Sequence, residues 1–162
     1  MYKALTALFL LFTFVSAHAQ EAKPFDKLHL GVALGSYMDG TPYLDDGSGF
    51  IGKLGLEYDQ NWSVEAEISK VTLEAGGFES EVTLNNLFAI YRSEGTFYYM
   101  GKVGMVGEYV EAALNSPKQG GVSLGYGFGG GFRINDLLSI EADFTVLEPD
   151  LSVFGITTYF DF

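Results

Sequence analysis

The sequence contains no cysteine, four prolines, one tryptophan and two histidines among 162 residues. The absence of cysteine excludes a disulfide framework, a thiolate metal site and a lipid-modified cysteine after a leader. Basic residues are also scarce, because nine Lys and Arg stand against 21 Asp and Glu, a formal net charge of −12. This imbalance argues against a nucleic-acid partner, which selects basic surfaces, and against anchoring on anionic headgroups by a polybasic patch.

Residues 1–19 have the pattern of a secretory signal peptide. Lys3 precedes an apolar run from Ala7 to Val15, and the segment closes with small residues around His18. The run is shorter than the roughly 20 apolar residues that a spanning helix needs, so a cleaved leader explains it better than an uncleaved anchor. We assign 1–19 to a signal peptide and expect one domain over 20–162, where no other long apolar run occurs.

The sequence is rich in glycine and aromatic residues, and apolar residues alternate with polar ones along several of its segments. It has 21 glycines and 15% aromatic residues. In "LLSIEADFTV" (137–146), every second residue from Leu138 onward is apolar and those between are polar. A period of two indicates a β-strand, because a helix would place apolar residues at i, i+3 and i+4. Eight such runs occur, near 27–36, 49–58, 62–71, 81–91, 96–109, 121–133, 137–147 and 152–162.

The connections between these runs alternate in length. "DQN", "RSEG" and "IND" are tight, whereas 37–49, 72–81 and 111–121 are longer and contain glycine and acids. Strands of about ten residues with short turns at one end and longer loops at the other are typical of an outer-membrane barrel. Alternation alone leaves a soluble lipocalin-like barrel and a β-sandwich open.

Two further features favour the membrane barrel. The apolar faces are too extensive for a chain of this size to bury. Aromatic residues also gather beside the short turns, where a membrane barrel carries an aromatic girdle; they are Tyr58, Trp62, Phe97, Phe132, Phe160 and Phe162. We predict an all-β, eight-stranded antiparallel up-and-down transmembrane β-barrel with both termini in the periplasm, whose last strand pairs with the first to remove the open edge.

The leader, the eight runs, "INDLLSIEADF" and the final "YFDF" resemble the small outer-membrane β-barrel proteins of Gram-negative bacteria, the OmpA/OmpX-type group within the porin family. The resemblance covers essentially all of 20–162. It implies a monomer in the outer membrane without a cofactor, in contact with lipid and lipopolysaccharide. It also implies biogenesis by periplasmic chaperones and the barrel-assembly machinery, with Tyr159, Phe160 and Phe162 as the assembly signal.

Nine charged residues lie on the inward face by parity, namely Lys53, Glu57, Glu65, Glu67, Lys102, Glu108, Arg133, Glu141 and Asp143. The turn "DQN" places Lys53 opposite Glu67, and the turn "IND" places Arg133 one diagonal from Glu141. Unpaired charges in a narrow lumen are strongly unfavourable. We therefore expect a pairing network centred on Arg133 and Lys102, with Glu57 and Glu108 hydrated near the two mouths.

The fourth run fits this scheme poorly. If Val82, Leu84, Phe88 and Ile90 face lipid, Asn86 must face lipid as well. A bulge near Asn85-Asn86 would shift the phase, and a tolerated exposed Asn is the alternative; the sequence does not choose between them.

The segment "GYGFGG" (125–130) matches the dinucleotide motif G-x-G-x-x-G, but that motif requires a turn between a strand and a helix. Here it lies inside an alternating run that leads to another strand. Gly125, Gly127, Gly129 and Gly131 instead share the inward face. An eight-stranded barrel is only just wide enough for its side chains, so these glycines make room for bulky neighbours.

We do not expect an enzyme. Outside the leader the chain has one histidine, His29, and no serine in a nucleophile elbow, and its paired carboxylates face a packed lumen. The acidic loops suit divalent cations, but plain solvation is the favoured explanation and no metal site is assigned. We expect a mainly structural envelope role with a polar-filled lumen. The alternatives are a narrow porin, a loop-mediated adhesin and a soluble lipocalin-like carrier.

Overall fold

The computed structural model describes residues 27–39, 47–75, 78–111, 121–148 and 151–162. They form eight strands, β1 (Leu28–Asp39), β2 (Gly47–Glu57), β3 (Trp62–Ala75), β4 (Phe78–Arg92), β5 (Phe97–Glu111), β6 (Val122–Asn135), β7 (Leu138–Glu148) and β8 (Leu151–Asp161). Neighbours in sequence pair antiparallel and β8 pairs with β1, which closes the sheet into a barrel. The predicted eight-stranded antiparallel barrel is confirmed. The predicted leader lies outside the described residues.

The short turns form at the predicted places because local side chains satisfy their backbones. Oδ1 of Asp59 accepts hydrogen bonds from the backbone N–H groups of Asn61 and Trp62, both at 2.8 Å. Oδ1 of Asn135 accepts one from the Leu137 N–H at 2.9 Å. Gly95 adopts a φ of +110°, a conformation that favours glycine. None of the described residues belongs to a helix long and apolar enough to cross a membrane.

The closing pair, β1 with β8, runs in continuous register from His29 opposite Asp161 to Asp39 opposite Leu151. Beyond it, the backbones of Leu28 and Phe162 exchange two hydrogen bonds of 3.1 and 2.9 Å. The barrel thus has no unpaired edge at this seam, as a bilayer requires.

The outer surface carries the apolar alternates of most strands. Val32, Phe50 and Phe128 are 61%, 70% and 68% exposed. A soluble barrel would bury such a belt, whereas lipid covers it in a membrane barrel. Tyr58, Trp62, Phe97 and Phe132 face outward at the end with the short turns.

Neither alternative left open for β4 holds, because its apolar face points into the barrel and Asn86 points inward with it. Val82, Leu84, Asn86, Phe88 and Ile90 are all buried in the barrel, and the intervening residues face outward. The register between β3 and β4 runs unbroken along both strands, so there is no bulge at Asn85-Asn86. Register shifts occur instead between Arg133 and Asn135 and between Val146 and Glu148.

β4 turns its apolar face inward because the lumen has an apolar half as well as a charged half. Away from the short turns it is filled by an apolar core to which β4 contributes its apolar face. The other strands contribute Ala33, Tyr37, Ile51, Val71, Met100, Val106, Leu147 and Val153.

Candidate functional site

Two lysines and two acids from four strands form a closed square of ion pairs inside the barrel. Nζ of Lys53 on β2 lies 3.3 Å from Oε1 of Glu67 on β3 and 3.2 Å from Oδ1 of Asp143 on β7. Nζ of Lys102 on β5 lies 2.9 Å from the same Glu67 oxygen and 2.8 Å from Oδ2 of Asp143. All four side chains are buried. Each charge therefore has two opposite neighbours, the condition under which buried charges are tolerated.

Nearer the short turns, Arg92 on β4 holds a second cluster. Its Nε and Nη2 donate to the two carboxylate oxygens of Glu141 on β7, at 2.5 and 3.1 Å. Nη1 donates to Ser63 at 2.7 Å, and Nη2 lies 3.5 Å from Oε2 of Glu65. This bidentate geometry is the strong form of an arginine–carboxylate contact.

Hydroxyl and amide groups satisfy the remaining oxygens of these acids. Tyr98 donates to Oε1 of Glu141 at 2.8 Å, and Tyr159 donates to Oε1 of Glu65 at 2.9 Å. Thr145 donates to Oδ2 of Asp143 at 2.8 Å. Asn86 donates to Oε2 of Glu67 at 3.4 Å. The acids thus accept hydrogen bonds from side chains on β4, β5, β7 and β8, which rigidifies the network.

The glycine stripe of β6 makes room for this network. A Cβ at Gly127 would lie 2.7 Å from the Phe144 carbonyl and 3.1 Å from Cε of Lys102. A Cβ at Gly131 would meet the hydroxyl of Tyr98 at 2.5 Å. The inward placement of these glycines, predicted from their shared parity, is confirmed.

The structure brings together most of the charged residues predicted from sequence. Lys53 lies opposite Glu67, as predicted, and Gly131 lies opposite Glu141. Lys102 and Asp143 join the square described above. Glu57 lies near the mouth at the short-turn end with its side chain 24% exposed. Glu108 lies in β5, but its side chain is outside the described part of the chain.

The prediction that centred the network on Arg133 is wrong. Arg133 lies beside the register shift in β6, opposite Ser139. Its guanidinium stacks 4.5 Å from the ring centre of Tyr98 and donates to the Gly95 carbonyl at 2.5 Å. No carboxylate of the described residues lies within 4 Å of it. Arg92, and not Arg133, is the arginine that pairs with Glu141.

Three lumen contacts are not predicted by the sequence pattern, namely those of Arg92, Tyr98 and Tyr159. The sequence assigns Arg92 to the turn "RSEG", whereas β4 extends through Arg92. Asn86 carried the signal that would have found it, since an inward Asn86 makes every even position of β4 inward, Arg92 included. Tyr159 points into the lumen, whereas Phe160 and Phe162 face outward.

The chemistry of this arrangement is that of a packed ionic layer. Within the described ranges, no group of three or more His, Asp or Glu side chains is spaced to hold a metal ion.

Comparison with known proteins identifies the family of the chain. The outer membrane protein beta-barrel domain matches residues 7–152. The chain belongs to this family. It is an outer-membrane protein that sits in the lipid bilayer. No curated protein matches the sequence.

Solved structures share the fold at low identity. OprG from Pseudomonas aeruginosa has a TM-score of 0.62 at 13% identity, with 87% of this chain and 97% of that chain covered. The N-terminal β-barrel domain of OprF from the same organism has a TM-score of 0.60 at 16% identity, over 86% and 100% of the two chains. Ail, the attachment invasion locus protein of Yersinia pestis, was solved with the heparin analogue sucrose octasulfate. Its TM-score is 0.54 at 18% identity, over 84% and 97% of the two chains.

Proposed function

We propose that this barrel is a structural, non-conducting component of the outer membrane whose lumen is closed by its ionic layer. The observation that carries the proposal is the square formed by Lys53, Glu67, Lys102 and Asp143. Its four side chains come from β2, β3, β5 and β7 and are 1–3% exposed. Ions would pass only if these pairs separated, and separating buried pairs leaves charges without partners.

The rest of the lumen supports the same function. The bidentate pair of Arg92 and Glu141 spans from β4 to β7. On the other side of the square, Leu84, Phe88 and Val106 are fully buried in the apolar core. Eight strands leave an interior just wide enough for side chains, so two filled layers leave no room for a water column. A narrow porin is the alternative that the experiment below tests. We propose no enzymatic activity.

The outer surface supports a monomer in contact with lipid and lipopolysaccharide. We further propose that Phe160 and Phe162, which face outward, are recognised by the barrel-assembly machinery after delivery by periplasmic chaperones. Tyr159 has a separate task as the donor to Glu65. An adhesin for a sulfated glycan is not favoured, because a chain with a net charge of −12 repels polyanions.

Conductance across a planar bilayer tests the closed lumen. The wild-type barrel is expected to insert without a steady open level. The double variant Lys102→Ser, Asp143→Ser removes one oppositely charged pair and leaves Lys53 with Glu67, so the net charge of the lumen is unchanged while a gap opens. We expect measurable conductance from that variant.

The matched control is Val103→Ser, which changes the outward neighbour of Lys102 and leaves the lumen intact; it should behave like wild type. Insertion is verified for every variant by the shift in gel mobility on boiling. A steady, cation-selective current through the wild-type protein would contradict the closed lumen and support the narrow porin.

A further inference from the structure

At the short-turn end of the lumen, the ring of His29 lies between carboxylates from its two neighbouring strands. Nδ1 is 2.7 Å from Oδ1 of Asp161 on β8, and Nε2 is 3.6 Å from Oε1 of Glu57 on β2. His29 is 5% exposed, whereas the side chains of Glu57 and Asp161 are 24% and 22% exposed. The imidazole is therefore buried behind two acids that reach solvent.

The contact with Asp161 fixes where the imidazole hydrogen lies. An ionised carboxylate only accepts, so Nδ1 of His29 donates to Asp161 and a neutral ring keeps its lone pair on Nε2. Nε2 is buried and has no hydrogen-bond partner among the described residues. It faces an oxygen of Glu57 from beyond hydrogen-bond distance. The buried Nε2 therefore lacks a partner on the side that faces the partly exposed Glu57 carboxylate, and a positive group between the two atoms would satisfy both.

The backbone leaves space for this arrangement. Gly55 lies opposite His29 on β2, and a Cβ there would lie 2.9 Å from Cδ2 of the imidazole. Asp161 is the Cα partner of His29 on β8. A carboxylate that accepts from the far nitrogen of a histidine is the usual outer-shell partner of a metal-binding imidazole.

We propose that Nε2 of His29 and the carboxylate of Glu57 bind one divalent transition-metal ion such as Zn²⁺, with Asp161 orienting the imidazole and water completing the coordination. Zinc takes imidazole nitrogen and carboxylate oxygen at about 2.0–2.2 Å, and two such bonds at a tetrahedral angle hold their donor atoms about 3.4 Å apart. The observed 3.6 Å is close to that spacing.

With two protein ligands, the site is weaker than a four-ligand structural zinc centre. It joins β1 directly to β2 and, through Asp161, to the closing strand β8. Ion binding is therefore expected to stabilise the closed barrel, because the assembled site exists only in the folded state.

Nitrogen NMR of the histidine tests the site directly, because His29 is the only histidine outside residues 1–19. The chain without its leader is labelled with ¹⁵N-histidine, refolded in detergent micelles and titrated with ZnCl₂. We expect a saturable shift of the Nε2 resonance while Nδ1 stays protonated. The temperature at which the gel band shifts to the unfolded position should rise over the same zinc range.

Glu57→Gln should abolish the saturable shift, and Asp161→Asn should weaken zinc binding about tenfold or more. Glu94→Gln, an exposed acid in the turn before β5, is the matched control and should bind zinc like wild type. Because Asp161 lies in the closing strand, Glu57→Gln decides the question alone if Asp161→Asn does not refold.

Two results would overturn the proposal. In the first, both ring nitrogens carry hydrogen at every zinc concentration, so a proton occupies the position between Nε2 and Glu57. In the second, Glu57→Gln and Glu94→Gln respond to zinc equally, so binding is a diffuse effect of surface acids.

Discussion

Arg92 and Glu141 form a bidentate ion pair across the barrel, with donor–acceptor distances of 2.5 and 3.1 Å. Arg92 comes from the strand whose apolar face points inward, and Glu141 comes from β7. The same Arg92 also contacts Ser63 and Glu65 on β3, so one guanidinium joins three strands. Its substitution is the most direct test of the charged half of the lumen.

Replacement of Arg92 by Met should lower the free energy of unfolding by about 3–5 kcal/mol, because it leaves Glu141 buried without its counter-charge. Arg133→Met is the matched control, since Arg133 contacts an exposed carbonyl and the Tyr98 ring; it should lower stability by about 1 kcal/mol or less. Urea unfolding in lipid vesicles measures both. Equal losses would mean that the assignment of Glu141 to Arg92 is incorrect.

Asn85 and Asn86 are adjacent and face opposite sides of β4, so they report on the phase of this strand. Asn86→Leu should destabilise by about 1–3 kcal/mol, because Glu67 loses a buried donor. Asn85→Leu should stabilise the barrel in a bilayer by on the order of 1 kcal/mol, since an exposed amide on the lipid face becomes apolar. Urea titrations of the two variants in vesicles make the comparison. The reverse order would place the apolar face of β4 toward lipid.

The phase of β4 shows where sequence reasoning about barrels fails. Alternation gives the two faces of a strand but does not say which one is inside. The polar-inside rule supplies that choice when the lumen is uniformly polar. Here Phe88 and Leu84 fill an apolar layer of the lumen, so the rule assigned the wrong face. Asn86 was the residue that contradicted it.

Gly127 and Gly101 provide a matched pair of substitution sites that tests whether the lumen has spare volume. Gly127→Ala should destabilise by about 1–3 kcal/mol, because its Cβ would lie 2.7 Å from the Phe144 carbonyl, a backbone atom that cannot easily move. Gly101→Ala should be neutral or slightly stabilising, because its nearest atom lies 4.0 Å away. Thermal unfolding monitored by circular dichroism distinguishes them. A Gly127→Ala barrel as stable as wild type would show that the lumen has spare volume.

Turn length predicted local partners well and distant partners badly. The three-residue turn after β2 placed Lys53 opposite Glu67, because hairpin register follows from loop length. Contacts such as Lys53 with Asp143, or Arg92 with Glu141, cross the lumen instead. They depend on strand tilt and on the shear of the closed barrel, which hairpin counting does not supply. Arg133 lies opposite Ser139, one diagonal from Glu141 as predicted, yet its guanidinium contacts the Gly95 carbonyl and the Tyr98 ring instead.

Phe162 tests the proposed assembly signal separately from folding. Its backbone pairs with Leu28, while its side chain is 68% exposed, so Phe162→Ala keeps the hydrogen bonds and removes only an outward ring. We expect severalfold less boiling-sensitive barrel in isolated outer membranes, with refolding of the purified variant in detergent close to wild type. Phe97→Ala removes a ring that is 78% exposed at the same end and should leave the membrane yield unchanged. If both variants reduce the yield equally, the loss reflects a thinner aromatic girdle, and recognition of Phe162 by the assembly machinery is not needed to explain it.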